Sequence, residues 1–182
     1  MNLHVSKAAR RILAAAAVTC AAALAPAAAL AVPGHHAGAA RTATPACATS
    51  GLDVWLDTNG SSAAGHTGYQ LQFTNLSGST CTLFGYPGVS AVTLTGTQIG
   101  SAAARNGTTP QTVTLANGAT THALVVITDT SLFQPSLCNQ VTAAGLKVFP
   151  PNQTQSRTVP FPFHACSKSG TIYLTISPVG FP

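Results

Sequence analysis

The run Leu52-Asp53-Val54-Trp55-Leu56-Asp57 alternates between two kinds of position with a period of two. This period is typical of a β-strand with one buried face. Three aliphatic side chains are therefore predicted to face a core, namely Leu52, Val54 and Leu56. The opposite face carries Asp53, Trp55 and Asp57, so the single tryptophan of the chain is predicted to point outward.

Two later runs alternate in the same way and assign faces to their aromatic residues. In residues 69–73 the inward set is Tyr69, Leu71 and Phe73. In residues 171–176 the inward set is Ile172, Leu174 and Ile176, which places Tyr173 outward. Outward aromatic rings on a sheet stack against sugars or peptides, so Trp55 and Tyr173 form the candidate ligand platform.

Segments of strand character continue along the chain and are separated by turn residues. There are eight: 52–57, 69–75, 89–95, 111–115, 122–128, 145–149, 157–161 and 171–177. Their number and spacing predict an all-β fold, an Ig-like antiparallel β-sandwich of about seven to nine strands. Between two of the segments lies Asn117-Gly118, a pair that predicts a type I′ hairpin because both central residues of that turn need positive φ.

The amino-terminal segment has the organisation of an export signal. A basic start with Lys7 and Arg10-Arg11 is followed by an apolar stretch and by the small-x-small cleavage site Ala29-Leu30-Ala31. We predict a signal peptide at 1–31, a flexible Ala/Gly/Pro/Thr linker at 32–45 and a secreted β-sandwich domain at 46–182. Lipid anchoring through Cys20 is the alternative, but Thr19 is bulkier than the residue that precedes a lipidated cysteine.

Charge excludes one class of partner. After the leader the chain has five basic and three acidic residues, a net charge of about +2, and the basic residues are scattered singly. Such a distribution cannot follow a phosphate backbone, so no nucleic-acid partner is expected. We expect a monomer without a membrane span, whose partner is an extracellular protein or a glycan.

Four cysteines follow the leader, and three pairings are possible in principle. In a hairpin, residues equally distant from the turn lie opposite each other. The midpoint of Cys47 and Cys81 is Ala64, in a turn-like region, and the midpoint of Cys138 and Cys166 is Asn152, beside Pro150-Pro151. We therefore predict the disulfides Cys47–Cys81 and Cys138–Cys166. Zinc binding by paired thiolates is the alternative, but no C-x2-C spacing exists and export favours oxidation.

A corner is predicted where Leu83 and Phe84 end a strand. Gly85 and Gly88 supply permissive backbone, Pro87 fixes φ, and Tyr86 buries its ring while its hydroxyl caps a loop carbonyl. These residues belong to the run 73–89, whose sequence is FTNLSGSTCTLFGYPGV. This interpretation is structural and assigns no catalytic role to the corner.

The same run resembles the hallmark of the secreted actinobacterial family catalogued as domain of unknown function 4232. The resemblance continues through residues 115–118, Cys138, 145–151, Cys166 and 174–179, in essentially all of 47–179. It implies a secreted or lipid-anchored β-sandwich, found alone or beside other extracellular modules. The family has no established activity, substrate or catalytic residues, so the resemblance assigns none here.

Candidate catalytic groups are few. A catalytic imidazole–carboxylate pair would have to combine His66, His122 or His164 with one of the three aspartates, Asp53, Asp57 and Asp129. The sequence contains no G-x-S-x-G elbow and no metal or phosphate motif that would support such a site. Asp53 and Asp57 share a strand face about 13 Å apart, too far for a glycosidase pair. The pair His35-His36 lies in the linker and is interpreted as part of a free tail, so no metal or cofactor is expected.

The leading hypothesis is therefore a secreted, non-catalytic binding module. The first alternative is a secreted protease inhibitor, with the Pro-rich residues 149–163 as its loop. The second alternative is a small secreted hydrolase that uses a histidine with Asp129 or Asp53.

The face assignment of residues 52–57 generates a stability test. Trp55→Ala should lower the free energy of unfolding by about 1 kcal/mol or less, because an outward ring leaves no cavity. Leu56→Ala should lower it by about 2–5 kcal/mol through cavity formation. Chemical denaturation of both variants measures the difference, and unfolding of the Trp55 variant would place the indole in the core.

Overall fold

The computed structural model describes residues 43–107 and 109–181. The predicted signal peptide, Cys20 and the His35-His36 pair lie outside the described residues, so the predictions made for them stay predictions. Among the residues described, no helix has both the length and the apolar character needed to cross a membrane.

Within these ranges the chain forms eleven strands. They are β1 Leu52–Ala63, β2 His66–Asn75, β3 Cys81–Phe84, β4 Gly88–Val92, β5 Gln98–Ile99, β6 Ala104–Arg105, β7 Thr112–Leu115, β8 Thr120–Thr128, β9 Gln140–Phe149, β10 Arg157–Cys166 and β11 Leu174–Ile176. One short helix, α1 Pro135–Cys138, and the 3-10 turns Thr49–Gly51 and Thr130–Leu132 complete the elements. Each of the eight predicted segments contains a strand. The three strands outside these segments, β3, β5 and β6, have four, two and two residues, too few for a clear alternation. The corner prediction alone anticipated the end of β3 at Phe84.

The strands form two larger sheets and one small one, which confirms the all-β class. The five-stranded sheet has the order β1-β2-β8-β11-β6, the four-stranded sheet has the order β10-β9-β4-β5, and β3 pairs with β7. Antiparallel pairing prevails, and the parallel ladder is β11 with β6. The observed strand number is higher than the predicted seven to nine because the two-residue ladders add to it.

A single core lies between the inward faces of the two larger sheets. Leu71, Phe73 and Val125 come from the five-stranded sheet, and Leu146 and Val148 from the other; all five are fully buried. The inward prediction is confirmed for β1, where Leu52, Val54 and Leu56 are buried, and Tyr69 packs half-buried against the same core. Apolar burial of this kind is the main favourable term in folding.

The face prediction for Tyr173 is wrong. Tyr173 is 1% exposed, whereas Ile172, predicted inward, is 58% exposed. Strand β11 begins only at Leu174, so the period of two does not extend back through these residues. The Tyr173 carbonyl accepts a hydrogen bond from the Thr128 N–H at 2.8 Å, and its hydroxyl donates to the Ile99 carbonyl at 3.4 Å. Tyr173 therefore belongs to the core.

The predicted Asn117-Gly118 hairpin is also wrong. The flanking strands do not pair with each other, because β7 pairs with β3 and β8 pairs with β2. The Ala119 N–H donates to the Ala116 carbonyl at 3.0 Å, and of the two central residues only Gly118 has positive φ, at 82°. The Asn117 side chain accepts from the Gly78 N–H at 2.9 Å. This contact with a different loop lies where the chain passes from the β3–β7 pair to the five-stranded sheet.

Both predicted disulfides are present. Cys47 precedes β1 and is bonded to Cys81 at the start of β3, while Cys138 ends α1 and is bonded to Cys166 at the end of β10. The bonded cysteines are 34 and 28 residues apart. In the chain-entropy account, closing loops of this size stabilises the fold by about 3–4 kcal/mol each.

The hairpin turn lies at Ala64-Gly65, where the cysteine midpoint placed it. Ala63 pairs with His66, and the two residues between them have φ of 47° and 79°. Positive φ at both central positions defines the type I′ turn that suits the twist of a hairpin. Alanine pays a steric cost there because its Cβ approaches the following carbonyl.

Ala64→Asn should therefore raise the free energy of unfolding by about 0.5–1 kcal/mol, since asparagine tolerates this conformation better than alanine. The matched control is Ala63→Asn, at an exposed strand position of the same hairpin, where asparagine is a poor strand residue and should give no gain. Denaturant titration of the two variants provides the comparison. Equal or opposite effects would contradict the turn assignment.

Burial raises the pKa of Tyr173 to about 12 from its ordinary value of 10.0. The folded state thus prefers the neutral phenol. The stability that the buried neutral phenol contributes is fully present below pH 10 and is lost as the pH rises through about 12. Tyr173→Phe should remove that alkaline loss at little cost at neutral pH, because the hydroxyl makes only a long hydrogen bond. Denaturation midpoints measured against pH test this, with Tyr69→Phe as the variant that should retain the loss.

Candidate ligand-binding surfaces

The outer face of β1, β2 and β8 carries the indole of Trp55, and we call this surface the Trp55 face. The ring is 41% exposed, as the alternation of β1 predicts. Its N–H donates to Thr74 Oγ1 at 3.3 Å, and this hydroxyl is hydrogen-bonded at 2.9 Å to Thr120 Oγ1. A chain of contacts across three strands therefore fixes the orientation of the indole.

Uncharged amides lie beside the indole. Trp55 pairs with Gln72 in the β1–β2 ladder, and Gln72 pairs with His122 of β8, so these three residues form one row. The Gln72 amide donates to Gln70 Oε1 at 3.0 Å, which aligns the two side chains. Gln72 is buried beside the indole, whereas Gln70 is exposed and is a diagonal neighbour of Trp55. Diagonal neighbours lie about 7–8 Å apart, so the Gln70 amide is the one within reach of a ligand that rests on the ring.

Carboxylates flank the indole along its own strand. Asp53 and Asp57 are each two residues from Trp55 on the same face, about 7 Å away along β1. Asp57 Oδ1 accepts from the backbone and side-chain N–H groups of Asn59 at 2.9 and 2.8 Å, while Asp53 is exposed. Strands β1, β2 and β8 contain no lysine or arginine, so this face has acidic character.

The second member of the predicted platform is missing from this face. Tyr173 is buried under the sheet, as described above, so Trp55 is an isolated ring with polar neighbours and not half of an aromatic pair. His122 occupies a neighbouring position instead, half-buried, in the row of Trp55.

A separate cleft of about 530 Å³ lies at the turn end of the β1–β2 hairpin, and we call it the hairpin cleft. The ends of β1, β2, β8 and β10 converge there. Its walls include three aromatic rings, two imidazoles and one carboxylate: Tyr69, Phe161, Phe163, His66, His164 and Asp129. Its volume lies within the range of small-molecule sites.

Asp129 is held in place at the entrance to the 3-10 turn Thr130–Leu132. Its Oδ1 accepts a hydrogen bond from the Ser131 N–H at 2.9 Å. Hydrogen bonds from the Ser131 backbone and side chain lower the pKa of Asp129, and the electrostatic interaction with His164 lowers it further. The carboxylate is exposed, so it presents a fixed negative charge to solvent and to the cleft.

Of the six groups considered for catalysis, the structure brings three together. His66, His164 and Asp129 share the hairpin cleft, while Asp53, Asp57 and His122 lie on strands of the Trp55 face. His66 Nδ1 is hydrogen-bonded to Thr128 Oγ1 at 3.0 Å. Over the described residues, no hydrogen-bonded series joins a hydroxyl, an imidazole and a carboxylate, the arrangement that activates a nucleophile. Nor do the described residues contain three His, Cys, Asp or Glu side chains grouped to hold a metal ion.

The Pro-rich residues 149–163, predicted as an inhibitory loop, are largely ordered strand. Residues 157–163 belong to β10, which pairs with β9, so they are not a free loop. Pro150 and Pro151 are buried, and the Asn152 amide donates to the Phe84 carbonyl at 3.0 Å. Most of residues 157–163 thus pair with β9, which corrects the loop prediction. Phe161 and Phe163 form one wall of the hairpin cleft.

The predicted corner connects two sheets. Strand β3 ends at Phe84, Gly85 has φ of 109°, Pro87 is buried, and β4 of the four-stranded sheet begins at Gly88. The Tyr86 ring is half-buried, with the Arg105 guanidinium 5.5 Å from its centroid. The capping role predicted for the Tyr86 hydroxyl stays a prediction.

The aromatic wall of the hairpin cleft was missed by sequence reasoning. Tyr69 and Phe161 are 92 positions apart in the chain, and no local pattern relates them. The one available signal was the unusual density of phenylalanine around Pro160 and Pro162.

One comparison with known proteins gave a match. A family model described as domain of unknown function (DUF4232) matches residues 47–180. The comparisons with curated proteins and with solved structures gave no match.

Proposed function

Because the chain belongs to the DUF4232 family of domains of unknown function, its role has to be inferred from its own surfaces, and we propose a secreted, non-catalytic module that binds a glycan. The Trp55 face is the proposed binding surface. The observation that carries the proposal is a half-exposed indole whose orientation is fixed by the Thr74 hydroxyl.

Sugar rings present C–H groups on their faces and hydroxyls at their edges. An aromatic face covers the C–H groups, and amides and carboxylates exchange hydrogen bonds with the hydroxyls. Trp55 supplies the first kind of contact, and Gln70, Asp53 and Asp57 supply the second. Because the indole is already oriented, less conformational entropy is lost on binding.

The charge of the Trp55 face favours a neutral glycan. Asp53 and Asp57 flank the ring, and none of the three strands of this face contains lysine or arginine. A uronic acid or a sulfated sugar would meet two like charges there, which costs free energy. We therefore propose a neutral oligosaccharide as the ligand.

Support for the extracellular location comes from the cysteines. Two disulfides close the ends of both main hairpins. Disulfides persist in oxidising compartments and are rare in the cytoplasm. Support for a non-catalytic role comes from the described residues, where no hydrogen bond joins the hydroxyl–imidazole contact at His66 to the carboxylate of Asp129.

Intrinsic fluorescence tests the proposal directly, because Trp55 is the only tryptophan of the chain. Titration with neutral chito- and cello-oligosaccharides should shift the emission of the wild-type protein. Trp55→Ala should weaken binding, measured by calorimetry, by roughly tenfold or more, and Trp55→Phe by less. Mass spectrometry should find the oligosaccharides intact after incubation.

The matched control is Phe84→Ala, which removes another exposed aromatic ring, 51% exposed, outside the three strands of the Trp55 face. It should bind as the wild type does. Equal loss in the Phe84 variant, unchanged affinity in Trp55→Ala, or failure of the whole neutral panel to bind would each overturn the glycan proposal. Cleavage of the oligosaccharides would overturn its non-catalytic part.

A further inference from the structure

The hairpin cleft has a fixed aromatic wall. Tyr69 and Phe161 pack edge to face, with ring centroids 4.9 Å apart and planes at 67°, and Phe163 lies 5.9 Å from Phe161. All three rings are only partly buried and line the cleft. The faces of aromatic rings carry partial negative charge, so they attract cations as well as apolar groups.

An irregularity of the β9–β10 ladder contributes to the wall. The register shifts between Pro160 and Phe163, so Phe161 lies in the stretch where regular pairing is interrupted. Bulges of this kind redirect side chains and are frequent next to binding sites. Here the bulge accompanies the packing of Phe161 on Tyr69 of the opposite sheet.

The cleft contains one carboxylate, that of Asp129, together with the imidazoles of His66 and His164. Asp129 is the only aspartate, glutamate, lysine or arginine among the residues that line it. Its carboxylate is fixed by the Ser131 N–H and is exposed. The lining also includes the apolar side chains of Ala63, Ala64 and Ile127. The cleft therefore combines one carboxylate with an apolar and aromatic wall.

We propose that the hairpin cleft binds a lysine side chain of an extracellular peptide. The ammonium group pairs with the Asp129 carboxylate, and the four-carbon stem lies along Tyr69 and Phe161. Lysine suits this lining because its methylene stem contacts apolar surface while its charged head remains at a polar rim. An amino sugar carries its amine directly on a polar ring, so it would leave the aromatic wall of the cleft without an apolar contact. This site is separate from the Trp55 face and does not depend on the proposed glycan binding.

The test uses acetyl-Gly-Lys-Gly-amide as the probe and NMR chemical-shift changes of the mature protein as the readout. Saturable shifts should be centred on Tyr69, Ala64 and Phe161. A single side-chain contact of this kind gives a dissociation constant on the order of 1 mM. The same peptide with its lysine Nε acetylated keeps the stem and loses the charge, so it should bind about five- to tenfold more weakly.

Asp129→Asn removes the charge and retains a side chain that caps the 3-10 turn. It should weaken binding of the lysine peptide about five- to tenfold, with no change for the acetylated peptide. Asp57→Asn is the matched control, a carboxylate of the Trp55 face, and should bind the lysine peptide as the wild type does. An NMR spectrum that is unchanged away from the substituted residue shows that each variant is folded.

Three results would overturn the proposal. Equal binding of the two peptides would show a merely apolar cleft, and equal binding by Asp129→Asn would remove the carboxylate from the site. Stronger shifts of the same residues with glucosamine than with the lysine peptide would assign the cleft to a sugar. Failure of the Trp55 experiment leaves all three outcomes unchanged, because peptide binding is measured by the chemical shifts of Tyr69, Ala64 and Phe161.

Discussion

Burial of Leu71 and Phe73 at the centre of the five-stranded sheet sets the register of that sheet. Strand β2 pairs with β1 on one side and with β8 on the other, so Leu71 lies between Leu56 and Ala123. A shift of one residue would turn every side chain of the strand to the opposite face. It would expose Leu71 and Phe73, which are both fully buried. With Leu71 and Phe73 inward, Gln70 and Gln72 are necessarily outward, and the Trp55 face follows from the core.

The hairpin cleft depends on a different constraint, the meeting of strand ends. Its charged and aromatic members come from β2, from the residue after β8 and from β10, so the cleft exists only when both sheets are packed. The disulfide Cys138–Cys166 joins the end of β10 to α1, which follows the Asp129 turn after a few residues. This covalent link ties the strand that carries His164 to the helix that follows Asp129.

The scarcity of acidic residues gives the two surfaces their character. The chain has only three acidic residues. Two of them flank Trp55, and the third stands at the hairpin cleft. Since uncharged groups supply most of the remaining polarity, each carboxylate has a large effect on the local potential. The run 83–89, which carries much of the family resemblance, forms a corner between sheets and lies in neither surface.

The sequence alone determined the strand periodicity, the outward position of Trp55 and the disulfide pairing, because each depends on local alternation or on simple hairpin distances. It failed at Tyr173, since β11 is too short to carry the alternation back to that residue. It also failed at Asn117-Gly118, because the flanking strands β7 and β8 pair with the distant strands β3 and β2 and not with each other. Only the tertiary structure decided that Tyr69, Asp129 and Phe161 meet in one cleft. Nothing in the local sequence encodes contacts between residues so far apart, because those contacts arise when two sheets bury their faces against each other.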